Sequence, residues 1–173
     1  MKYSIVFFPT KAIQDRANSY RKRYDSHYAF IPPHITLKSA FEADEEEIKS
    51  LSAELKQIAR SFEPLSITIS KVSSFQPVNN VVYFKIELTE QIKALHEEIY
   101  RHFSSDPEYA YVPHITIARD LSNDEQSDVF GSLKMLDVTH HEVIGQFHLL
   151  QQQENGVWTD YETFHLGKGQ KES

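Results

Sequence analysis

The chain of 173 residues has no cysteine. That excludes disulfides, thiolate metal ligands and a thiol nucleophile, and it fits a reducing compartment, so a cytoplasmic location is expected. Glycine is scarce, with five residues, and none of it forms a glycine-rich phosphate loop. This argues against ATP-dependent ligation. Long apolar runs are missing as well. Ile5-Val6-Phe7-Phe8 stops at Pro9, too short for a secretory core segment, and nothing approaches the length of a membrane-spanning helix. Positive charge is in deficit: 18 Lys and Arg against 25 Asp and Glu give a net charge of −7. An acidic chain is a poor holder of long duplex nucleic acid, where neutralising phosphates dominates affinity. A small nucleotide or an RNA terminus in a locally positive cleft remains compatible with it. The composition does not address oligomeric state.

What the chain does have is one short stretch written twice: Pro33-His34-Ile35-Thr36-Leu37 and Pro113-His114-Ile115-Thr116-Ile117. None of the other seven of the nine histidines has a threonine two positions later. Side chains alternate between the faces of a β-strand. His34 and Thr36 would therefore share one face over Ile35 and Leu37, and His114 and Thr116 would share one over Ile115 and Ile117.

The surrounding elements repeat too. Residues 2–8 read as a strand, broken by Pro9. Ile13, Ala17, Tyr20 and Tyr24 then recur at helical spacing over about 10–24. The cations Lys11, Arg16, Arg21, Lys22 and Arg23 are expected on the solvated face of that helix. The first Pro-His-Ile-Thr strand runs to about residue 40. A helix with the stripe Ile48, Leu51, Leu55 and Ile58 follows and ends at Pro64. A strand alternates Leu65, Ile67 and Ile69 with polar residues. After Asn79-Asn80 come a strand with Val82, Phe84, Ile86 and Leu88 on one face, a helix carrying Ile92, Leu95, Ile99 and Phe103, and the second motif. A further helix opens with the capping box Ser122 and Glu125. A strand over about 142–152 is followed by the hairpin signal Asn155-Gly156 and a closing strand to about residue 166. The second half thus repeats the order of the first and adds one strand. This predicts an α+β fold of one domain over 1–166 with two pseudo-symmetric lobes, about 1–75 and 76–166, and a polar tail from 167 to 173. Packed about a pseudo-twofold axis, the lobes would bring the two His-Thr faces together across one central cleft.

The duplicated His-x-Thr-hydrophobic motif in this element order resembles the 2H phosphoesterase superfamily, which includes 2′–5′ RNA ligase-like proteins and cyclic phosphodiesterases. The surrounding residues Tyr20-Arg21-Lys22-Arg23-Tyr24, Ile31-Pro32-Pro33-His34 and Pro77-Val78-Asn79-Asn80-Val81 are similar to its bacterial YjcG-like branch. The fold this resemblance implies has two sheets flanking a cleft, with helices outside. The activity it implies is a phosphoesterase acting on a small phosphodiester, with no cofactor.

Two imidazoles facing one site form an acid–base pair near neutral pH. Each threonine hydroxyl can bond a non-bridging phosphate oxygen, where charge grows in the transition state. The local symmetry does not distinguish acid from base. The resemblance implies His34 as proton donor and His114 as proton acceptor. Among further candidates for contacting substrate, Lys38 would share the face of His34 if its strand stays in register. Arg119 has the opposite parity from His114, so a bend is required to bring it in. Tyr83 or Phe7 could stack on a base. No metal site is read: His96-Glu97-Glu98-Ile99-Tyr100 has tyrosine where a zinc-protease helix needs its second histidine, and the adjacent His140 and His141 lack a third ligand. A module that binds a nucleotide or RNA end without turnover is the alternative, using the same His and Thr groups.

Overall fold

The computed structural model describes residues 1–103 and 110–167; the expected polar tail thus lies, Gly167 apart, outside the described residues. Its elements are β1 (Lys2–Phe7), α1 (Lys11–Tyr24), β2 (Ile35–Glu42), α2 (Glu45–Ser61), β3 (Leu65–Ser74), β4 (Val82–Ile86), α3 (Glu90–Tyr100), β5 (His114–Ala118), α4 (Asn123–Leu133), β6 (His140–Ile144), β7 (Gln146–Gln152) and β8 (Trp158–His165). Local chemistry sets the helix starts. Asp44 and Glu47 close a capping box on α2, and Ser122 and Glu125 close one on α4, each satisfying two backbone N–H groups that the first turn leaves open. The Asn155-Gly156 turn joins β7 to β8, with Gly156 at φ +88°, a conformation glycine adopts without steric cost.

The strands form two antiparallel four-stranded sheets, ordered β2-β1-β7-β8 and β5-β4-β3-β6. They do not follow the two halves of the sequence. β3, from the first half, pairs with β4, while β7, from the second, pairs with β1. The first half thus gives β3 to the sheet of the second, and the second half gives β7 and β8 to the sheet of the first, an exchange that ties the lobes together. It also corrects the single strand expected over 142–152. Gly145 divides that stretch into β6, which joins β3, and β7, which joins β1. The break at Gly145 lets the chain turn from one sheet into the other.

One continuous core underlies both sheets. It includes Tyr3, Ile5 and Phe7 of β1, Ile35 and Leu37 of β2, Phe84 of β4, Ile115 and Ile117 of β5, and Leu55 of α2. Burying each such side chain contributes roughly 1.5–3 kcal/mol. The helices also cross over: α1 packs against β5 and α3 against β2. The edge strands that carry the two motifs, β2 and β5, lie next to each other. Among the described residues, no helix is long and apolar enough to cross a membrane.

Candidate active site

The alternation expected of both motifs is present. Ile35, Leu37, Ile115 and Ile117 are buried, while His34, Thr36, His114 and Thr116 are half-buried on the other face. Pro33 and Pro113 precede β2 and β5, where a missing N–H costs no ladder bond. The two imidazoles are fixed in the same way. His34 Nδ1 lies 2.8 Å from the carbonyl of Pro32, and His114 Nδ1 lies 2.7 Å from that of Val112. A carbonyl only accepts, so in both rings Nδ1 carries a proton and donates it. Nε2 is thereby left as the working nitrogen, with its lone pair free in the neutral form. Burial pushes the His34 imidazole down to about 4, aided by the charges of Arg119, Arg21 and His114 and opposed by the bond to Pro32. His114 is also lowered, first by burial and then by Arg119, against its bond to Val112. The field of His114 and Arg119 at His34 puts the three groups in one electrostatic neighbourhood. The hydroxyls of Thr36 and Thr116 make no hydrogen bond to another of the described residues, which leaves them open to a ligand.

A matching irregularity follows each threonine. In β2 the register steps from Thr36 opposite Val6 to Lys38 opposite Ile5. In β5 it steps from Thr116 opposite Tyr83 to Ala118 opposite Val82. One extra residue, Leu37 or Ile117, bulges out of each strand and reverses the parity beyond it. This supplies the bend that Arg119 requires. Arg119 Nη1 donates to His27 Nδ1 at 2.8 Å. Its Nε lies 2.8 Å from Asp25 Oδ1, although not aligned to donate to it, and its charge is felt by both catalytic candidates. The same bulge overturns the expectation for Lys38. Instead of joining His34, its ammonium lies over the rings of Phe41, Tyr100 and Phe103, at 5.9, 5.2 and 5.0 Å from their centroids. Burial lowers its pKa there.

The two aromatic candidates are also revised. Phe7 is 0% exposed and belongs to the core, because its parity on β1 is that of Ile5; it has no face to offer a base. Tyr83 is buried beside His114, with ring centroids 5.1 Å apart, and is covered by Phe75, stacked at 4.2 Å. It supports the imidazole from the side. Phe75 is half-buried, contacts His114 edge-on at 5.0 Å, and is the ring of this group that retains open surface.

Sequence reasoning missed an anchor. Arg21, expected in solvent, is 1% exposed. Its Nε donates to Asp25 at 3.0 Å, Nη1 to Asn18 at 2.7 Å and Nη2 to the carbonyl of Ile31 at 2.6 Å. Asp25 is buried between Arg21 and Arg119, so a single carboxylate balances two guanidinium groups beside the histidines. The signal was present in the sequence: Ile13, Ala17 and Arg21 fall at a spacing of four on the buried stripe of α1, and Asp25, the residue that caps its C-terminus, continues that spacing. A second brace joins the motif strands, where the Tyr111 hydroxyl donates to the Thr36 carbonyl at 2.8 Å. Among the described residues there is no group of three histidines or carboxylates placed to hold a metal ion.

Comparison with known proteins gives a consistent picture. A family model described as the 2′-5′ RNA ligase superfamily matches residues 9–156. A Bacillus licheniformis protein named "Putative phosphoesterase" is 56% identical over 96% of this chain and 99% of its own. One of the same name from Geobacillus kaustophilus is 55% identical over 96% of this chain and 97% of its own. Among solved structures, E. coli LigT complexed with 3′-AMP superposes with a TM-score of 0.70 at 16% identity, over 95% of this chain and 97% of that one. A Thermus thermophilus protein superposes with a TM-score of 0.71 at 19% identity, over 99% and 100%. These structures share the fold of two sheets about a cleft.

Proposed function

The chain belongs to the 2′–5′ RNA ligase superfamily and is a phosphoesterase of the 2H kind, and on that premise we propose that it opens, or reversibly forms, a phosphodiester in a small cyclic nucleotide or at an RNA 2′–5′ or 2′,3′-cyclic terminus. The observation that carries this reading is the matched pair of imidazoles, each with Nδ1 committed to a carbonyl and Nε2 free. In hydrolysis, His114 Nε2 takes a proton from water as the water oxygen bonds to phosphorus. The ester bond to the ribose oxygen breaks, and His34, entering as imidazolium, gives that oxygen the proton on its Nε2. Thr36, Thr116 and Arg119 donate to the phosphoryl oxygens, where negative charge grows. These groups supply every proton and hydrogen bond the step requires, so the reaction is assigned no metal.

Burial keeps both imidazoles neutral near pH 7 in the free protein. An anionic phosphate beside His34 restores the proton that the acid needs, which couples activation to substrate binding. The complexes of E. coli LigT with 3′-AMP, ATP and NADP+ support a nucleotide-sized occupant. The Phe75–Asn80 loop, which places the half-open Phe75 ring against His114, is assigned to base selection.

The test is hydrolysis of a panel of nucleoside 2′,3′-cyclic phosphates by chelator-treated protein. Turnover that survives chelation and is lost in His34→Ala and His114→Ala supports the reading. Binding without turnover on any cyclic or 2′–5′ substrate would replace it with the nucleotide-binding module.

A further inference from the structure

The two walls of the cleft differ in charge. On the β2 wall, Thr36 is followed laterally by Val6 on β1 and His148 on β7. Val6 packs with Ile31, Leu150, Phe8 and Trp158 in a small apolar cluster of its own. That wall offers nothing cationic in its first rows. On the β5 wall, His114 lies opposite Lys85 of β4, and Lys85 lies opposite Lys71 of β3. The neighbouring row runs Thr116, Tyr83, Ser73. Directly paired residues in an antiparallel sheet project from the same face. The contact of Tyr83 with His114 and the burial of Val72, Phe84 and Ile86 on the opposite side fix which face that is. His114, Lys85 and Lys71 therefore form one row on the active-site side, with the lysines roughly 5 and 10 Å from the histidine at the usual spacing of strands.

Two features of this row call for a ligand. Like charges directly opposite across two strands destabilise a sheet, yet Lys71 and Lys85 are so paired. Neither has a carboxylate within ion-pair distance among the described residues, although the chain carries 25 acidic side chains against 18 basic ones. Lys71 is exposed and Lys85 half-buried, so both ammonium groups can reach solvent along the sheet. A polyanion laid along the row would turn the unfavourable pair into a favourable one.

We propose that Lys85 and Lys71 form a subsite for the backbone phosphates next to the reacting one, so that the substrate is the terminus of an RNA strand in preference to a mononucleotide. The strand leaves the site over the β5 wall, because only that wall carries the lysines. This inference rests on the phosphoesterase reading and adds to it the class of substrate and two residues that select it.

The experiment compares a nucleoside 2′,3′-cyclic phosphate with a four-nucleotide RNA ending in a 2′,3′-cyclic phosphate. The wild-type protein is set against Lys71→Ala/Lys85→Ala, with Lys49→Ala on the outer face of α2 as control. The wild type is expected to favour the oligonucleotide by tenfold or more in kcat/KM. The double variant should lose most of that preference, and the control should keep it. The dependence of log KM on log salt for the oligonucleotide should become shallower by about 1.4, from roughly 0.7 per phosphate contact on a single strand. Equal kcat/KM for the two substrates in the wild type, or an undiminished preference in the double variant, overturns the subsite. Binding of the same RNA bearing a 3′-phosphate, followed by fluorescence anisotropy, separates this inference from the reading beneath it. Lysine-dependent binding by a protein that turns over neither substrate supports the subsite and sinks the enzymatic reading. Lysine-independent binding sinks the subsite. Removing a like-charge pair relieves repulsion, so the double variant is expected to fold.

Discussion

Tyr111 donates its hydroxyl to the carbonyl of Thr36 at 2.8 Å, so the segment leading into the second motif holds the strand of the first. The Tyr111 ring is stacked on His96 of α3 at 3.8 Å and an interplanar angle of 10°, which fixes the direction of the bond. Burial and the nearby Tyr100 raise its pKa, so the hydroxyl stays a donor throughout the working range of pH. Tyr111→Phe keeps the stack and deletes only the bond. The expected loss is about 1 kcal/mol of stability, read as a Tm lower by roughly 2–4 °C. A fall in kcat with KM little changed is also expected, because the strand carrying Thr36 would lose its bond to the segment that leads into the second motif. Unchanged kcat would show that the two strands are positioned by packing alone.

Asp25 is the counter-charge for Arg21 and Arg119 together. Asp25→Asn leaves two guanidinium groups sharing a neutral amide beside His34 and His114. Removing one partner of a buried ion pair costs on the order of 3–5 kcal/mol, and denaturant titration should show a loss of that size. Arg119→Lys keeps a positive charge but not the fork that reaches both Asp25 and His27. It should fold nearly normally and lose activity. If Asp25→Asn proves as stable as the wild type, the triad does not anchor the site.

The motif strands were legible because burial of Ile35, Leu37, Ile115 and Ile117 forces His34, Thr36, His114 and Thr116 to the other side, and alternation can be read from one strand alone. The capping boxes and the Asn155-Gly156 turn were legible for the same reason, since their chemistry is local. The bulges after Thr36 and Thr116 were not, because a bulge is a relation between two strands and the partner's register is absent from the sequence. Lys38 and Arg119 therefore changed sides relative to simple alternation. The exchange of β3 and β7 between sheets was hidden likewise, with only Gly145, a glycine inside a strand pattern, as a warning. Phe7 was ambiguous because both faces of β1 are apolar, and only the pairing shows that it shares the side of Ile5.

The histidines whose pKa is lowered by partial desolvation set a pH dependence of stability. In the unfolded chain His34 takes up a proton near pH 6.5, whereas in the folded protein it does so at about 4. Between those values the unfolded state binds more protons, so stability falls as the pH drops from about 6.5 and levels off below about 4. Burial lowers His96, His114 and His148 in the same sense, and their contributions add to the fall. His34→Gln should show a shallower loss between pH 6.5 and 4.5 by urea titration. Equal slopes for variant and wild type would mean that the His34 site is open to water in solution.

The division of labour between the histidines can be separated by the leaving group. His34→Ala and His114→Ala should each lower kcat by on the order of 10²–10⁴. Thr36→Val and Thr116→Val should cost less, since each loses one bond to phosphate while the branched shape is kept. If proton donation and abstraction belong to one step, the double histidine variant should fall short of the product of the single effects. The profile of kcat/KM should be bell-shaped with its maximum below pH 6.5, since both free-enzyme imidazoles are lowered and one must carry a proton. A nitrophenyl phosphodiester leaves without needing a proton, so the variant lacking the acid should regain rate on it and the variant lacking the base should not. With His34 as donor and His114 as acceptor, rescue is expected for His34→Ala. Rescue of His114→Ala instead would reverse the roles, and rescue of neither would mean that the pair orients phosphate without moving protons.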